Sequence, residues 1–211
     1  LNPFNDQLMC YSPKAFIRDY LLQKYNVVHI VVGFNYSFGF KGEGDIQMLT
    51  EFGKRFNFGV TVIPPCIIDG QSVSSTLIRE LIGTGKVNEV STFLGRDYSI
   101  EGTIVKGKGL GHTFDIPTAN LKMKEKVILP SSGVYYTKIK VRGQEHDGLT
   151  NLGFNPTFEK HPYSIETYIY DFDENIYGDY VTLTFKERVR GEIKFDNLGD
   201  LVAQIKSDIR N

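Results

Sequence analysis

The chain has 211 residues, 41% hydrophobic and 23% charged, with a net charge of −1, ordinary globular usage that argues against a disordered or fibrous protein. Up to Asp97 it carries 9 basic and 9 acidic residues, and beyond it 15 and 16, so neither half has the positive excess of a protein that binds nucleic acid by neutralising phosphates. Two cysteines, Cys10 and Cys66, with no second thiol or histidine at metal-ligand spacing, rule out a disulfide scaffold and argue against a zinc site.

In chain order, Ser12-Pro13 reads as an N-cap with proline at the first helical position, and Phe16, Ile17, Tyr20 and Leu21 fall on one helical face. Val27–Val32, bounded by Asn26 and Gly33, predicts a buried strand, with His29 packed in the core. A helix with the stripe Ile46, Leu49, Phe52 and Phe56 follows, then a strand over Gly59–Ile63 stopped by Pro64-Pro65. Thr76–Ile82 and Val87–Leu94 predict two short helices ended by Gly83-Thr84-Gly85 and Gly95. Alternating helix and strand predicts a parallel α/β sheet with too few strands for a complete domain. Together with the opening Leu1-Asn2-Pro3-Phe4, which has no initiator methionine, this deficit leads to the expectation that the chain begins partway into a longer protein. No apolar run approaches the ~20 residues of a membrane span and no secretory leader is present; a cytoplasmic, membrane-free protein is expected.

From Tyr98 the period becomes two. Tyr135, Ile139 and Val141 face one way while Lys138, Lys140 and Arg142 face the other. Ile165, Thr167 and Ile169 alternate with Glu166, Tyr168 and Tyr170, and Val181, Leu183 and Phe185 with Thr182 and Thr184. Short strands joined by glycine-rich turns predict an antiparallel sandwich or small barrel, closed by a helix with the stripe Leu198, Leu201, Val202, Ile205 and Ile209. The division is placed at 1–97 and 98–211.

The most informative stretch is Lys106-Gly107-Lys108-Gly109-Leu110-Gly111-His112, followed by Pro117-Thr118-Ala119-Asn120. Three glycines in five positions let the backbone approach a ligand and aim amides at anionic oxygens. It is neither a Walker loop nor a dinucleotide fingerprint, and by itself such a run is more often an ordinary turn than a phosphate site. Thr118 and Asn120, two apart on an extended segment, turn hard oxygen ligands to one face. Lys106 and Lys108 either add positive charge there or are plain solvated lysines.

These segments resemble the riboflavin kinase family, in which a glycine-rich loop leads into Pro-Thr-Ala-Asn. The resemblance continues in order through Pro130-Ser131-Ser132-Gly133-Val134-Tyr135, Thr150-Asn151-Leu152-Gly153-Phe154-Asn155-Pro156-Thr157-Phe158, Glu166 to Asp171-Phe172 with Tyr177-Gly178, and Arg190-Gly191-Glu192-Ile193-Lys194-Phe195. Val31-Val32-Gly33-Phe34-Asn35-Tyr36-Ser37-Phe38-Gly39 and Ser74-Ser75-Thr76-Leu77-Ile78-Arg79 resemble the FMN adenylyltransferase domain of the bifunctional enzymes that join the two activities. That domain is a Rossmann-like nucleotidyltransferase, and the kinase an antiparallel barrel with a C-terminal helix.

The resemblance implies ATP-dependent phosphorylation of riboflavin to FMN. Thr118 and Asn120 would hold Mg²⁺, and Gly107, Lys108, Gly109, Gly111, Pro117 and Thr118 would meet ATP. Glu166 would be the catalytic base, and Asn151, Phe154 and Phe158 would shape the flavin pocket. In the adenylyltransferase remnant, Asn35 and Phe38 would belong to a flavin-facing loop, and Ser74, Ser75 and Arg79 to a phosphate contact at a helix N-terminus. Arg190 and Glu192 are expected to pair. The family's adenylyltransferase opening, with its His-x-Gly-His, has no counterpart here, so FAD synthesis is expected only if that segment precedes the chain. Asn35 stands where the family usually has an acid, and His112, Phe114, Asp115 and Ile116 stand where it reads Arg, Leu, Gly and Phe. Asp115 beside a phosphate loop is the support for the alternative, a non-catalytic flavin- or nucleotide-binding module. Oligomeric state is not readable from the sequence.

Overall fold

Ser12 opens the first long helical stretch as its place before Pro13 requires, its Oγ accepting from the Ala15 amide at 3.3 Å. The computed structural model describes residues 5–107, 116–153, 164–195 and 198–210, and the chain divides into two units, Leu1–Ser72 and Val73–Asn211.

The first unit contains α1 (Asp6–Met9), α2 (Pro13–Ala15), a π-helix over Phe16–Lys24, β1 (His29–Gly33), a 3₁₀ turn (Phe40–Gly42), α3 (Ile46–Phe56), β2 (Gly59–Ile63), β3 (Ile67–Ile68) and β4 (Gln71–Ser72). The stretch predicted as an ordinary helix after Pro13 thus widens into i→i+5 bonding. Five-apart Tyr20 and Tyr25 meet edge to face with centroids 5.3 Å apart, and Phe16 stacks on Tyr20 at 5.6 Å. Asp45 caps α3, accepting from the Met48 amide at 2.8 Å, and Asn57 ends it in the left-handed region. β1 and β2 are parallel, from His29 opposite Gly59 to Gly33 opposite Ile63, as the alternation of helix and strand predicts. Ile17, Val32, Phe38, Leu49 and Phe58 form the core of this unit.

Two expectations here need correction. The strand predicted as buried is buried on one face only: Val32 is in the core, but Val31 is 62% exposed and Ile63 of β2 49%. α3 packs on one side of the pair and leaves the other open. His29 is therefore exposed rather than a core residue. Its ring lies over Gly59, with Nε2 2.8 Å from Thr61 Oγ1.

The second unit begins with α4 (Ser75–Gly83) and α5 (Val87–Leu94), the two predicted helices, and continues as β5 (Tyr98–Val105), β6 (Ala119–Met123), β7 (Gly133–Val141), β8 (Gln144–Gly153), β9 (Ser164–Ile169), β10 (Tyr180–Arg190) and α6 (Leu198–Arg210). The six strands close into an antiparallel barrel in the order β10-β5-β6-β9-β8-β7, as the period of two anticipates. Ile100 and Ile104, Leu121, Tyr135 and Ile139, Leu152, Ile165 and Ile169, and Val181, Leu183 and Phe185 fill it, joined by Val87 of α5. β10 carries two register irregularities, after Phe185 and after Arg188, and such bulges re-aim side chains. Arg188 Nη2 then donates to the Ser132 carbonyl at 2.7 Å.

Arg190 does not pair with Glu192. Its Nε and Nη2 donate to Asp208 of α6, at 3.0 and 2.7 Å to Oδ2, while Gln204 donates to Oδ1 at 2.8 Å. Glu192 reaches instead to Gly153, where a Cβ would fall 2.0 Å from its Oε1. Adjacent residues rarely reveal such a partner, because the helix that supplies Asp208 is 18 residues downstream. The Asp208 side chain is 5% exposed and that of Arg190 18%, so the pair is largely desolvated. Asp208→Ala should cost about 3 kcal/mol, the scale for leaving one partner of a buried pair uncompensated. It would be read as a lower urea midpoint for unfolding; an unchanged midpoint would remove the clamp from the fold's stability.

Candidate functional site

β9 lies between β6 and β8, and the pairing places Glu166 directly opposite Asn120 on one side and directly opposite Asn151 on the other. Opposed residues of antiparallel strands project to the same face with Cβ atoms about 5 Å apart. Ile165 and Thr167, on either side of Glu166, are buried in the barrel, so Asn120, Glu166 and Asn151 form one row on its outer surface. All three are half-buried. Thr118, just before β6, is half-buried, and Ile116 two residues earlier is buried.

The row continues through Val105, which is opposite Asn120. Two residues on, Gly107 passes so close beneath the Asn120 carboxamide that a Cβ would lie 2.3 Å from Nδ2 and 2.9 Å from Oδ1. A Cβ at 107 would require the Asn120 carboxamide to move, so the first glycine of the run leaves that side chain its place. Lys108, Gly109, Gly111, His112 and Asp115 lie outside the described residues, as do Phe154 and Phe158.

Glu166 also has a neighbour that the sequence reading passes over. Ser164 Oγ donates to Glu166 Oε1 at 2.9 Å, which the i, i+2 spacing on one strand face allows. Farther along the same outer face, the Tyr136 hydroxyl and Lys138 hold the Asp147 carboxyl below the usual carboxylate range. Burial first, and then Tyr168, Asp147 and Asp208, push Tyr170 up. Among the described residues no three His, Cys, Asp or Glu side chains gather as metal ligands. For a cation at this row, Asn120 and Thr118 would offer amide and hydroxyl oxygens, hard donors of the kind Mg²⁺ takes.

The residues singled out in the first half are placed differently from one another. Phe38 is buried and stacked on Tyr36, with centroids 5.8 Å apart, and it packs at 6.1 Å from Phe16. Its ring belongs to the core, while Phe34 is 44% exposed. Ser74 is the N-cap of α4, its Oγ accepting from the Leu77 amide at 3.1 Å. Ser75 and Arg79 are exposed on that helix. Asn35 and Phe38 fall in the first unit, and Ser74, Ser75 and Arg79 in the second.

Comparison with known proteins also separates two parts, with Ser74 and Ser75 falling in the first. Residues 94–211 match the riboflavin kinase family model, and residues 1–77 the FAD synthetase model. The bifunctional riboflavin kinase/FMN adenylyltransferase of Listeria monocytogenes is 37% identical over 97% of this chain and 65% of its own length. That of Bacillus subtilis is 34% identical with the same coverage. The chain thus spans just under two thirds of these relatives. A crystal structure described as a macrolide-efflux protein from Streptococcus pneumoniae matches with a TM-score of 0.84 and 31% identity, over 98% of this chain and 66% of that one. The chain belongs to the riboflavin kinase family, and carries that module after an FAD-synthetase-like one, as its bifunctional relatives do.

Proposed function

We infer that the barrel unit transfers the γ-phosphoryl group of ATP to the terminal ribityl hydroxyl of riboflavin, giving FMN. The supporting observation is the registered row in which Glu166 stands between Asn120 and Asn151. A carboxylate flanked by buried Ile165 and Thr167 is held on a rigid element, and the Ser164 hydroxyl donates to its Oε1.

Phosphoryl transfer to an alcohol needs charge neutralisation, in-line positioning and a proton acceptor. Glu166 is the acceptor, taking the ribityl hydroxyl proton. Asn120 and Thr118 would hold Mg²⁺, which supplies positive charge to the transferring phosphate when bound. By the resemblance, Gly107, Lys108, Gly109, Gly111 and Pro117 are assigned to ATP, and Asn151, Phe154 and Phe158 to the flavin. Activity is divided at 1–97 and 98–211, and any adenylyl transfer to FMN is assigned to the first part through Asn35, Ser74, Ser75 and Arg79, with Phe38 packing the loop that carries Asn35. The substrates are small and cytoplasmic, and neither nucleic acid nor membrane enters the reaction.

The test is the product mixture from riboflavin and Mg-ATP. FMN alone supports the reading, FMN with FAD extends it to the first half, and neither product would turn the chain into a binding module. Glu166→Gln should lower turnover by about 10²-fold or more with ATP affinity nearly unchanged, the usual size for a positioned base; near-normal turnover would remove Glu166 from the role. Ser164→Ala should lower turnover by about tenfold, the order expected for losing one hydrogen bond to a charged group, with the KM for ATP unchanged. Gly107→Ala should act on the other substrate term. Its Cβ displaces the Asn120 carboxamide, and the KM for Mg-ATP should rise by roughly tenfold or more, as misplacement of a positioning group does.

A further inference from the structure

Three threonines lie inside the barrel where an apolar core would otherwise be continuous. Thr137 and Thr150 are fully buried and Thr167 is 1% exposed. Their hydroxyls form a chain: Thr137 Oγ1 is 2.8 Å from Thr150 Oγ1, which is 2.9 Å from Thr167 Oγ1. At the far end Thr137 Oγ1 donates to the Gly148 carbonyl at 3.2 Å. A carbonyl only accepts and each hydroxyl has one proton. With the Thr137 proton on the Gly148 carbonyl, Thr150 donates to Thr137 and Thr167 to Thr150. Gly148 leaves the space, since a Cβ there would lie 3.0 Å from Thr167 Cγ2.

The threonines also mark the register of these strands. A slip of one residue would turn Glu166 into the core and is forbidden by patterning. A slip of two keeps every inward position inward, but on β9 it sets Thr167 where Ile165 packs and puts Tyr168 in the place of Glu166. The hydroxyl chain belongs to the register in use, because Thr150 is directly opposite Thr167 one step from the Asn151–Glu166 pair, and Thr167 is opposite Ala119 one step from Asn120. A two-residue slip would leave buried hydroxyls without partners, which costs far more than the hydrogen bonds gain.

The geometry points to Thr150 and Thr167 as positioning residues that hold β6, β8 and β9 in the register aligning Asn120, Glu166 and Asn151; as a statement about catalysis this rests on the phosphoryl-transfer reading above. The experiment is a set of variants in the full chain, Thr150→Val, Thr150→Ser and Thr167→Val, assayed below their melting temperatures. Thr150→Val strands the Thr167 proton and should lower kcat about tenfold, with the KM for riboflavin and Mg-ATP within about twofold. Thr150→Ser restores the hydroxyl and should return kcat to within about twofold of wild type. Thr167→Val leaves no donor stranded and should lower the melting temperature less than Thr150→Val does. Amide hydrogen exchange gives a readout independent of catalysis: in Thr150→Val it should quicken about tenfold along β8 and β9 relative to β5 and β10. Wild-type exchange on β8 and β9 in that variant, or a Thr150→Ser variant as impaired as Thr150→Val, overturns the proposal. Absence of FMN from the wild type overturns the phosphoryl-transfer reading instead, and the exchange measurement then decides the positioning role by itself.

Discussion

Closing six strands into a barrel gives every strand two fixed neighbours, and this double constraint sets the chemistry of the second unit. A strand in an open sheet can adjust to one partner; β9 must satisfy β6 and β8 together. Its position along both is what places one carboxylate between two carboxamides. The side-chain period of two then decides which face the carboxylate takes. Glu166 is outward because Ile165, Thr167 and Ile169 are inward, so the same apolar burial that stabilises the barrel presents the acid to its surface.

Buried polar contacts do a different job in this unit from the apolar ones. The aliphatic lining supplies most of the stabilisation but is tolerant of which aliphatic residue meets which. The Arg190–Asp208 clamp and the threonine hydroxyls are intolerant, because each has one satisfactory arrangement. The clamp ties α6 to the end of β10 that pairs with Val134 of β7, and Val134 is itself opposite Asn151. A continuous line of paired backbone therefore runs from the clamp to the Asn151–Glu166–Asn120 row.

Much of this was legible in the sequence wherever one strand's own alternation carries the information. Inward and outward residues of β7, β9 and β10 read directly from Tyr135 to Val141, Ile165 to Tyr170 and Val181 to Phe185, and the outward setting of Glu166 follows from them. Thr118, Asn120 and Asn151 were singled out by motif resemblance, and the strand register is what makes Asn120 and Asn151 neighbours of Glu166. What a single strand cannot reveal is a partner set by the fold. Arg190 has a carboxylate two residues away in Glu192 yet bonds to Asp208 across the unit. His29 sits in an apolar run but faces outward, because only one side of β1 is packed. Phe38 belongs to a loop rich in aromatics, and its burial depends on the contact with Phe16 from a distant helix. Ser164 was discoverable, since a hydroxyl two residues before a strand carboxylate is always within reach of it, but strand serines are too common to stand out.

The barrel's width explains why the row lies outside. Eight strands give an interior that side chains just fill, and this barrel has six, occupied by Tyr135, Phe185 and a layer of isoleucines, leucines and valines. With the core filled in this way, the outer face and the ends of the barrel are where the proposed reaction would meet its ligands. The connection from β5 to β6 and that from β8 to β9 both leave from the end of the barrel nearest the row, since Asn120 is the second residue of β6, Glu166 the third of β9 and Asn151 the third from last of β8. The residues that resemblance assigns to nucleotide, between Gly107 and Thr118, and the aromatics Phe154 and Phe158 that it assigns to flavin belong in sequence to those two connections. Chain continuity thus attaches both to the strands that carry the carboxylate and its carboxamides. Substrate contacts can then reside in the connections while the reacting geometry stays on the strands, whose register the buried hydroxyls fix.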